Sequence, residues 1–186
     1  DGYRDFALNV YESLKGKVPM KVAIGPHNHE FPSYSVPGPN YDGKEEALRW
    51  FNRWTKGMDN DITHTPDVSL FIRDSYLPDS KIETIPGTWR YDQWPNSSTR
   101  QKLFFTDGHG LSLSMGAAAH NHTLEYNPAS GHEAGHWWGD RTGNMATLDM
   151  QSLVYDSDVL VNTTEIVGFT SVSLKGSASA ALAHWV

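Results

Sequence analysis

Cysteine is absent from the 186 residues, which excludes a disulfide framework, a thiolate nucleophile and a cysteine-ligated metal. The compartment stays open, since secreted chains can also do without it. An excess of positive charge is missing too: 15 Lys+Arg stand against 22 Asp+Glu, a formal net charge of −7 with histidine neutral, which argues against a nucleic-acid partner. Long apolar runs are lacking. Stretches such as Met115-Gly-Ala-Ala-Ala119 extend over only a handful of residues, too short for a membrane span or a signal-peptide core. The chain therefore reads as soluble, cytoplasmic or secreted. There is no repeat of fixed period and no low-complexity tract.

What is present suffices for a folded domain or two. A 38% hydrophobic and 12% aromatic content supplies a core at this length, so intrinsic disorder is not expected. The chain opens at Asp1 rather than Met and stops inside Ala180-Ala-Leu-Ala-His-Trp-Val186. It reads as a piece of something longer.

The first third alternates helix-like and strand-like patterns, as an α/β domain does. Phe6, Val10, Tyr11 and Leu14 recur at helical spacing, and Gly16 offers a stop. Met20-Lys-Val-Ala-Ile24 is a short strand ended by Gly25-Pro26, and a Pro/Gly/Ser-rich loop follows from Phe31 to Gly43. Lys44 to Lys56 predicts a second helix with Ala47, Leu48, Phe51 and Trp54 on one face. Beyond Gly57 the pattern changes to short alternating runs between turns, the signature of an antiparallel β-sandwich. Strands are expected near Val68–Arg73, Gln101–Thr106, His122–Tyr126, Ser152–Tyr155 and Glu165–Lys175. A boundary near residues 58–66 divides the chain into residues 1–62 and an incomplete sandwich over 63–186.

Three constellations carry chemistry. His132-Glu133-Ala134-Gly135-His136 fits the H-E-x-x-H zinc signature, in which two histidines one helical turn apart hold the metal and Glu133 serves as base. Gly139 matches the longer metzincin pattern, but Thr142 occupies the third-ligand position and Met145 comes too soon for the methionine turn. Pro128, Gly131 and the tryptophan pair Trp137-Trp138 also break any long helix around it. Second, Ile24-Gly-Pro-His-Asn-His29 delivers His29 past the carboxyl end of a strand, where open α/β sheets keep their working residues. Asp5, just before the first helix, stands earlier in the chain, in the Asp-then-His order of the last two triad members of α/β-hydrolases. As an alternative, an aspartate there caps the helix. Third, Trp89, Trp94, Trp137 and Trp138 suggest a carbohydrate-stacking surface. Trp50 and Trp54 read as packing, His120 and His122 as neighbours on one face of a strand, a solvated edge with metal binding as the alternative, and the sequons at Asn96, Asn121 and Asn162 say little about secretion.

Asp1-Gly-Tyr-Arg-Asp5 resembles the Gly-Gly-Trp-Tyr-Asp segment of the cocaine-esterase-like hydrolases, relatives of the X-Pro dipeptidyl-peptidases, and Ile24-Gly-Pro-His-Asn-His29 resembles their Ile-Gly-Pro-Trp-x-His. Leu48-Arg-Trp-Phe-Asn-Arg-Trp-Thr-Lys-Gly57 is similar to a helix of that family. Pro66-Asp-Val-Ser-Leu-Phe71, Trp89-Arg-Tyr-Asp-Gln-Trp94-Pro95, Ser152-Leu-Val-Tyr-Asp156 and Thr164-Glu-Ile-Val-Gly168 resemble later segments in the same order. The resemblance implies the C-terminal portion of an α/β-hydrolase followed by a jelly-roll-like β-sandwich. It implies Asp5 as triad acid and His29 as triad base, with no metal and no cofactor, acting on a small ester, amide or peptide substrate. Tyr3, Arg4 and His27 depart from the family's residues, which bears on pocket shape. The family's Gly-x-Ser-x-Gly nucleophile is absent from these residues, Gly110-Leu-Ser112 being the nearest start. The expectation is a serine-hydrolase fragment that is silent alone. Its alternatives are a non-catalytic carbohydrate- or protein-binding β-sandwich and a zinc metalloprotease through His132, Glu133 and His136.

Overall fold

The computed structural model describes residues 4–92, 94, 99–134 and 142–183. Helix α1 spans Arg4–Leu14 and is followed by strand β1, Val22–Ile24. Helix α2, Gly43–Lys56, leads through a 3-10 turn at Asp61–Thr63 into strand β2, Val68–Arg73, and strand β3, Gly87–Asp92. Two short strands, β4 at Phe104–Phe105 and β5 at Leu111–Ser112, a second 3-10 turn at His132–Ala134 and a one-turn helix α3, Ala146–Asp149, complete the regular elements among the described residues. The described residues thus form few helices and two small sheets, and no helix among them is long and apolar enough to cross a membrane.

The larger sheet has the order β1-β2-β3. Strand β1 runs parallel to β2, with Val22 opposite Val68 and Ile24 opposite Leu70, while β3 returns antiparallel, with Phe71 opposite Trp89 and Arg73 opposite Gly87. One sheet therefore takes strands from both sides of residues 58–66, where the sequence pattern changes. Alternation along β2 then separates two faces. Val68 and Leu70 are buried with Leu8 and Tyr11 of α1 and with Trp94, and Met20, Val22, Ile24, Ile72 and Val167 pack against them. The opposite face carries Phe71 and Trp89 edge to face, 5.6 Å between ring centroids.

Polar ties anchor α1 over this core. The Trp94 indole N–H donates to Glu12 at 2.8 Å, and Lys15 donates to the Trp94 carbonyl at 2.6 Å. Gly16 then closes the helix at φ 75°, a conformation glycine adopts without steric cost. At the far end of the sheet Gly87 sits at φ 151°, and a Cβ there would lie 2.2 Å from the Ile72 carbonyl, so the β2–β3 register tolerates no side chain at this position.

Helix α2 is well specified locally. Asp42 accepts from the Glu45 amide at 3.0 Å, and Gly57 ends the helix at φ 66°. Arg49 bridges Glu46 at 2.7 Å and also binds Asp61 in the 3-10 turn, which holds the Asp61 carboxyl below its usual range. Its apolar stripe is nonetheless open: Leu48, Phe51 and Trp54 are exposed.

The expected sandwich is only partly expressed. Val68–Arg73 forms as read, and of Gln101–Thr106 only Phe104–Phe105 pairs, with β5. His122–Tyr126, Ser152–Tyr155 and Glu165–Lys175 form no strand, although Gly110 bridges Asp156. The alternating residues of these segments, such as Leu124, Ile166, Val172 and Leu174, face solvent. An amphipathic strand is held by a ladder partner and by a second layer that buries its apolar face. Among the described residues neither is supplied.

Candidate functional site

His29 is placed by a loop that leaves the carboxyl end of β1 and returns through residue 41. Gly25 begins it in close quarters, for a Cβ there would meet the His27 ring at 2.3 Å and Trp89 at 3.2 Å. Trp89 supports both ends of the loop, with the Tyr41 ring 5.2 Å away on the returning limb. Further out, His27 Nε2 lies 3.0 Å from the Pro39 carbonyl. Ser35 closes the next level, accepting from the Asn28 amide at 3.2 Å and donating to Asn28 Oδ1 at 2.7 Å. The tip is folded by Tyr34 on the Phe31 carbonyl, 3.1 Å, and the returning limb is stitched to the β2–β3 connection by Gly38, which donates to Glu83 and accepts from Ile85. His29 lies on the exposed lip, one residue past the Ser35–Asn28 pair.

The chemistry of His27 follows from its partner. A carbonyl can only accept, so Nε2 carries the proton and Nδ1 is the lone-pair nitrogen of a neutral ring. Burial disfavours the imidazolium and lowers the pKa, and the bond to Pro39 opposes this in part. Because the folded pKa lies below the unfolded one, the unfolded chain takes up the proton first as pH falls. Stability from this group is present above about pH 6.5 and is lost on going down through the folded value. Urea midpoints measured between about pH 8 and 5 are therefore expected to fall with acidification, and His27→Gln should flatten that dependence; an unchanged slope in the variant would assign the effect elsewhere.

Asp5 occupies the first turn of α1 and is exposed. Leu8 and Tyr11, one turn further, are buried against β1 and β2, so the packed face leaves Asp5 at the helix entrance. Helix and strand are joined through residues 15–21 and pack together. In such a unit the chain reverses, which brings the start of the helix and the end of the strand to the same end. Asp5 and His29 both belong to that end of the α1–β1 unit.

A cleft of about 1000 Å³ wraps around the β1 edge of the sheet between the two helices. Its walls include the aromatic side chains of Phe6, Tyr41, Trp50, Trp89 and Tyr91. Burial pushes the Tyr41 hydroxyl up to about 12, so it is a neutral donor at ordinary pH. Lys21 is lowered by burial and is held by Thr65 Oγ1 and the Pro66 carbonyl, each at 2.8 Å, and by the Thr65 carbonyl.

The competing constellations are arranged differently. His132 and Glu133 lie on a three-residue 3-10 turn entered through Gly131 at φ 77°; His136, Trp137 and Trp138 lie outside the described residues. Thr142 donates to the Asp79 carbonyl at 2.6 Å, and no metal-holding group of three ligands occurs among the described residues. Trp89 is packed between Phe71 and Tyr41, and Trp94 is buried; neither contributes to an open stacking row. His120 and His122 are not on a strand but flank Asp107. His120 Nδ1 is 3.3 Å from its carboxylate, while His122 bonds the Asp107 carbonyl at 3.0 Å and the Tyr155 hydroxyl at 2.6 Å, with His109 stacked on its ring at 4.1 Å. The sequence pairs His120 with His122 but gives no sign that Asp107 and His109 of the β4–β5 turn, and Tyr155, meet them, because these residues are apart in the chain. Ser35 was equally hidden: nothing in a Pro/Gly/Ser-rich loop marks which serine is buried.

No protein-family model, no curated protein and no solved structure matches the chain.

Proposed function

We propose that these residues belong to a serine hydrolase that cleaves ester or amide bonds, peptide bonds included, through a Ser-His-Asp triad. His29 is the base, Asp5 is the acid that orients it, and the nucleophilic serine lies outside the chain. In this reading the chain joins the C-terminal portion of an α/β-hydrolase to a jelly-roll-like β-sandwich, resembling the cocaine-esterase-like hydrolases, and β2 and β3, which share a sheet with β1, go with the hydrolase portion, so the division falls later than residues 58–66. The observation that carries it is the α1–β1 unit, with Asp5 at the helix entrance and His29 on the loop leaving a strand that is parallel to its neighbour. Loops past the carboxyl ends of parallel strands are where such sheets do their chemistry.

The roles follow from acid–base chemistry. His29 takes the proton of the serine hydroxyl as the oxygen attacks the carbonyl carbon, then returns it to the leaving alkoxide or amine. Asp5 accepts from the ring N–H, which fixes the tautomer and stabilises the imidazolium. The alternating exposed apolar residues beyond residue 120, such as Leu124, Ile166, Val172 and Leu174, support the sandwich reading, since alternation of this kind is what a strand needs for one face to be covered by a second sheet. The packing of Trp89 and Trp94 gives these two side chains core roles and so favours the hydrolase reading over a carbohydrate-stacking row at their positions.

The test is proton NMR of the 186-residue chain at low pH. A histidine N–H bonded to a carboxylate gives a resonance far downfield of other ring protons. The expected result is one such signal that vanishes in both Asp5→Asn and His29→Ala; a spectrum in which neither substitution removes a downfield signal defeats the reading.

A further inference from the structure

We infer that Ser35 is a positioning residue for His29, acting through Asn28; the inference rests on the hydrolase reading for the purpose of that positioning. Ser35 is 1% exposed and is the single buried polar residue among those described. Its hydroxyl is used twice by one neighbour, accepting from the Asn28 backbone and donating to the Asn28 side chain. A buried hydroxyl is retained at a cost unless both its capacities are met, and here both are met by the residue that immediately precedes His29.

The loop explains why this bond matters at the lip. Its levels are concentric: Gly25 and Tyr41 on Trp89, then His27 with Pro39, then Asn28 with Ser35. The outgoing limb has no ladder of its own, for Asn28 and His29 lie beyond β1. The returning limb is fixed from outside, because Gly38 is bonded on both sides to the chain before β3. Ser35 transfers that fixation across the loop to the limb that carries His29. Catalytic side chains act only when held close to a productive geometry, and the groups that hold them are commonly partners of this kind.

The experiment uses the full 186-residue chain with labelled histidine, reading the ring-nitrogen shifts of His29, the hydrogen exchange of the Asn28 amide and the thermal midpoint. Ser35→Ala removes both bonds and Asn28→Ala removes one. Asn28→Asp keeps an oxygen for the Ser35 hydroxyl and the backbone donor. In Ser35→Ala the Asn28 amide should exchange about tenfold faster or more, the change expected when a buried hydrogen bond is lost from a local opening. The His29 ring should shift with it, less in Asn28→Ala, and in Asn28→Asp only by the pH-dependent amount that the new neighbouring carboxylate causes. Should Ser35→Ala fail to fold, the Asn28 pair carries the same comparison. An Asn28 amide that opens while the His29 ring stays unchanged overturns the inference and leaves Ser35 a structural residue. The hydrolase reading fails separately: a His29 ring that responds to Ser35→Ala but not to Asp5→Asn keeps the positioning and removes the triad.

Discussion

Hydrolysis of an activated ester by the 186 residues alone is expected to remain at the buffer rate, and supplying a serine-bearing segment of the same hydrolase class, by fusion or in trans, is expected to give turnover. In that assembly His29→Ala should lower kcat by about 10⁴- to 10⁶-fold, since a triad loses nearly all its advantage when the base is removed. Asp5→Asn should cost on the order of 10⁴-fold, because the amide favours the wrong tautomer of the base. KM should move little in either, for neither side chain is expected to hold the substrate in its ground state. His27→Ala provides the contrast. His27 Nε2 is committed to the Pro39 carbonyl, so its loss should reduce kcat far less than that of His29. Equal losses at the two histidines would show that the loop, and not the base, is what the assay reads. Turnover by the isolated chain that survives His29→Ala would end the assignment.

The largest effect on stability is expected at Trp94. Its ring is 3% exposed within the core formed with Leu8, Tyr11, Val68 and Leu70, meets Phe169 edge to face at 5.6 Å, and bonds Glu12. Truncating a buried aromatic of this size removes its burial energy and leaves a cavity, together about 3–5 kcal/mol. The indole N–H bond to Glu12 ends on an exposed carboxylate that water can reach and adds less. Against a typical total of about 5–15 kcal/mol, Trp94→Ala should bring the chain close to unfolding at room temperature. Trp94→Phe keeps the contact with Phe169 and should cost less than half as much. Urea titration followed by far-ultraviolet dichroism measures both. A loss below about 1 kcal/mol in Trp94→Ala, well under the range for buried aromatics, would mean that α1 is held by other contacts.

Much of the first third was legible in the sequence because its elements are specified by near neighbours. Phe6 to Leu14 and Lys44 to Lys56 are read as helices from spacing alone, and the observed helices are Arg4–Leu14 and Gly43–Lys56. Asp42 and Gly57 fix the second with local bonds. Val68–Arg73 was readable in full. Strand β3 was not, because its Gly87–Asp92 ladder is defined by register against β2 and by the tight approach of Gly87 to the Ile72 carbonyl. The later strands fail for the reverse reason. Alternation at Leu124, Ile166 or Val172 states a preference for two faces, but pairing is a property of two segments, and only Phe104–Phe105 finds one.

The sequence by itself determined the absence of cysteine chemistry, the acidic balance, both main helices and the delivery of His29 past a strand end, because composition and short-range periodicity are carried by consecutive residues. Tertiary structure alone decided that β1 lies parallel to β2, that Trp89 supports both ends of the His29 loop, that Ser35 rather than another loop serine is buried on Asn28, and that His109, Tyr155 and Asp107 gather around His122. Each of these joins residues distant in the chain or selects one side chain among chemically equal ones. Burial and directional hydrogen bonds make that selection only once the backbone has closed around them.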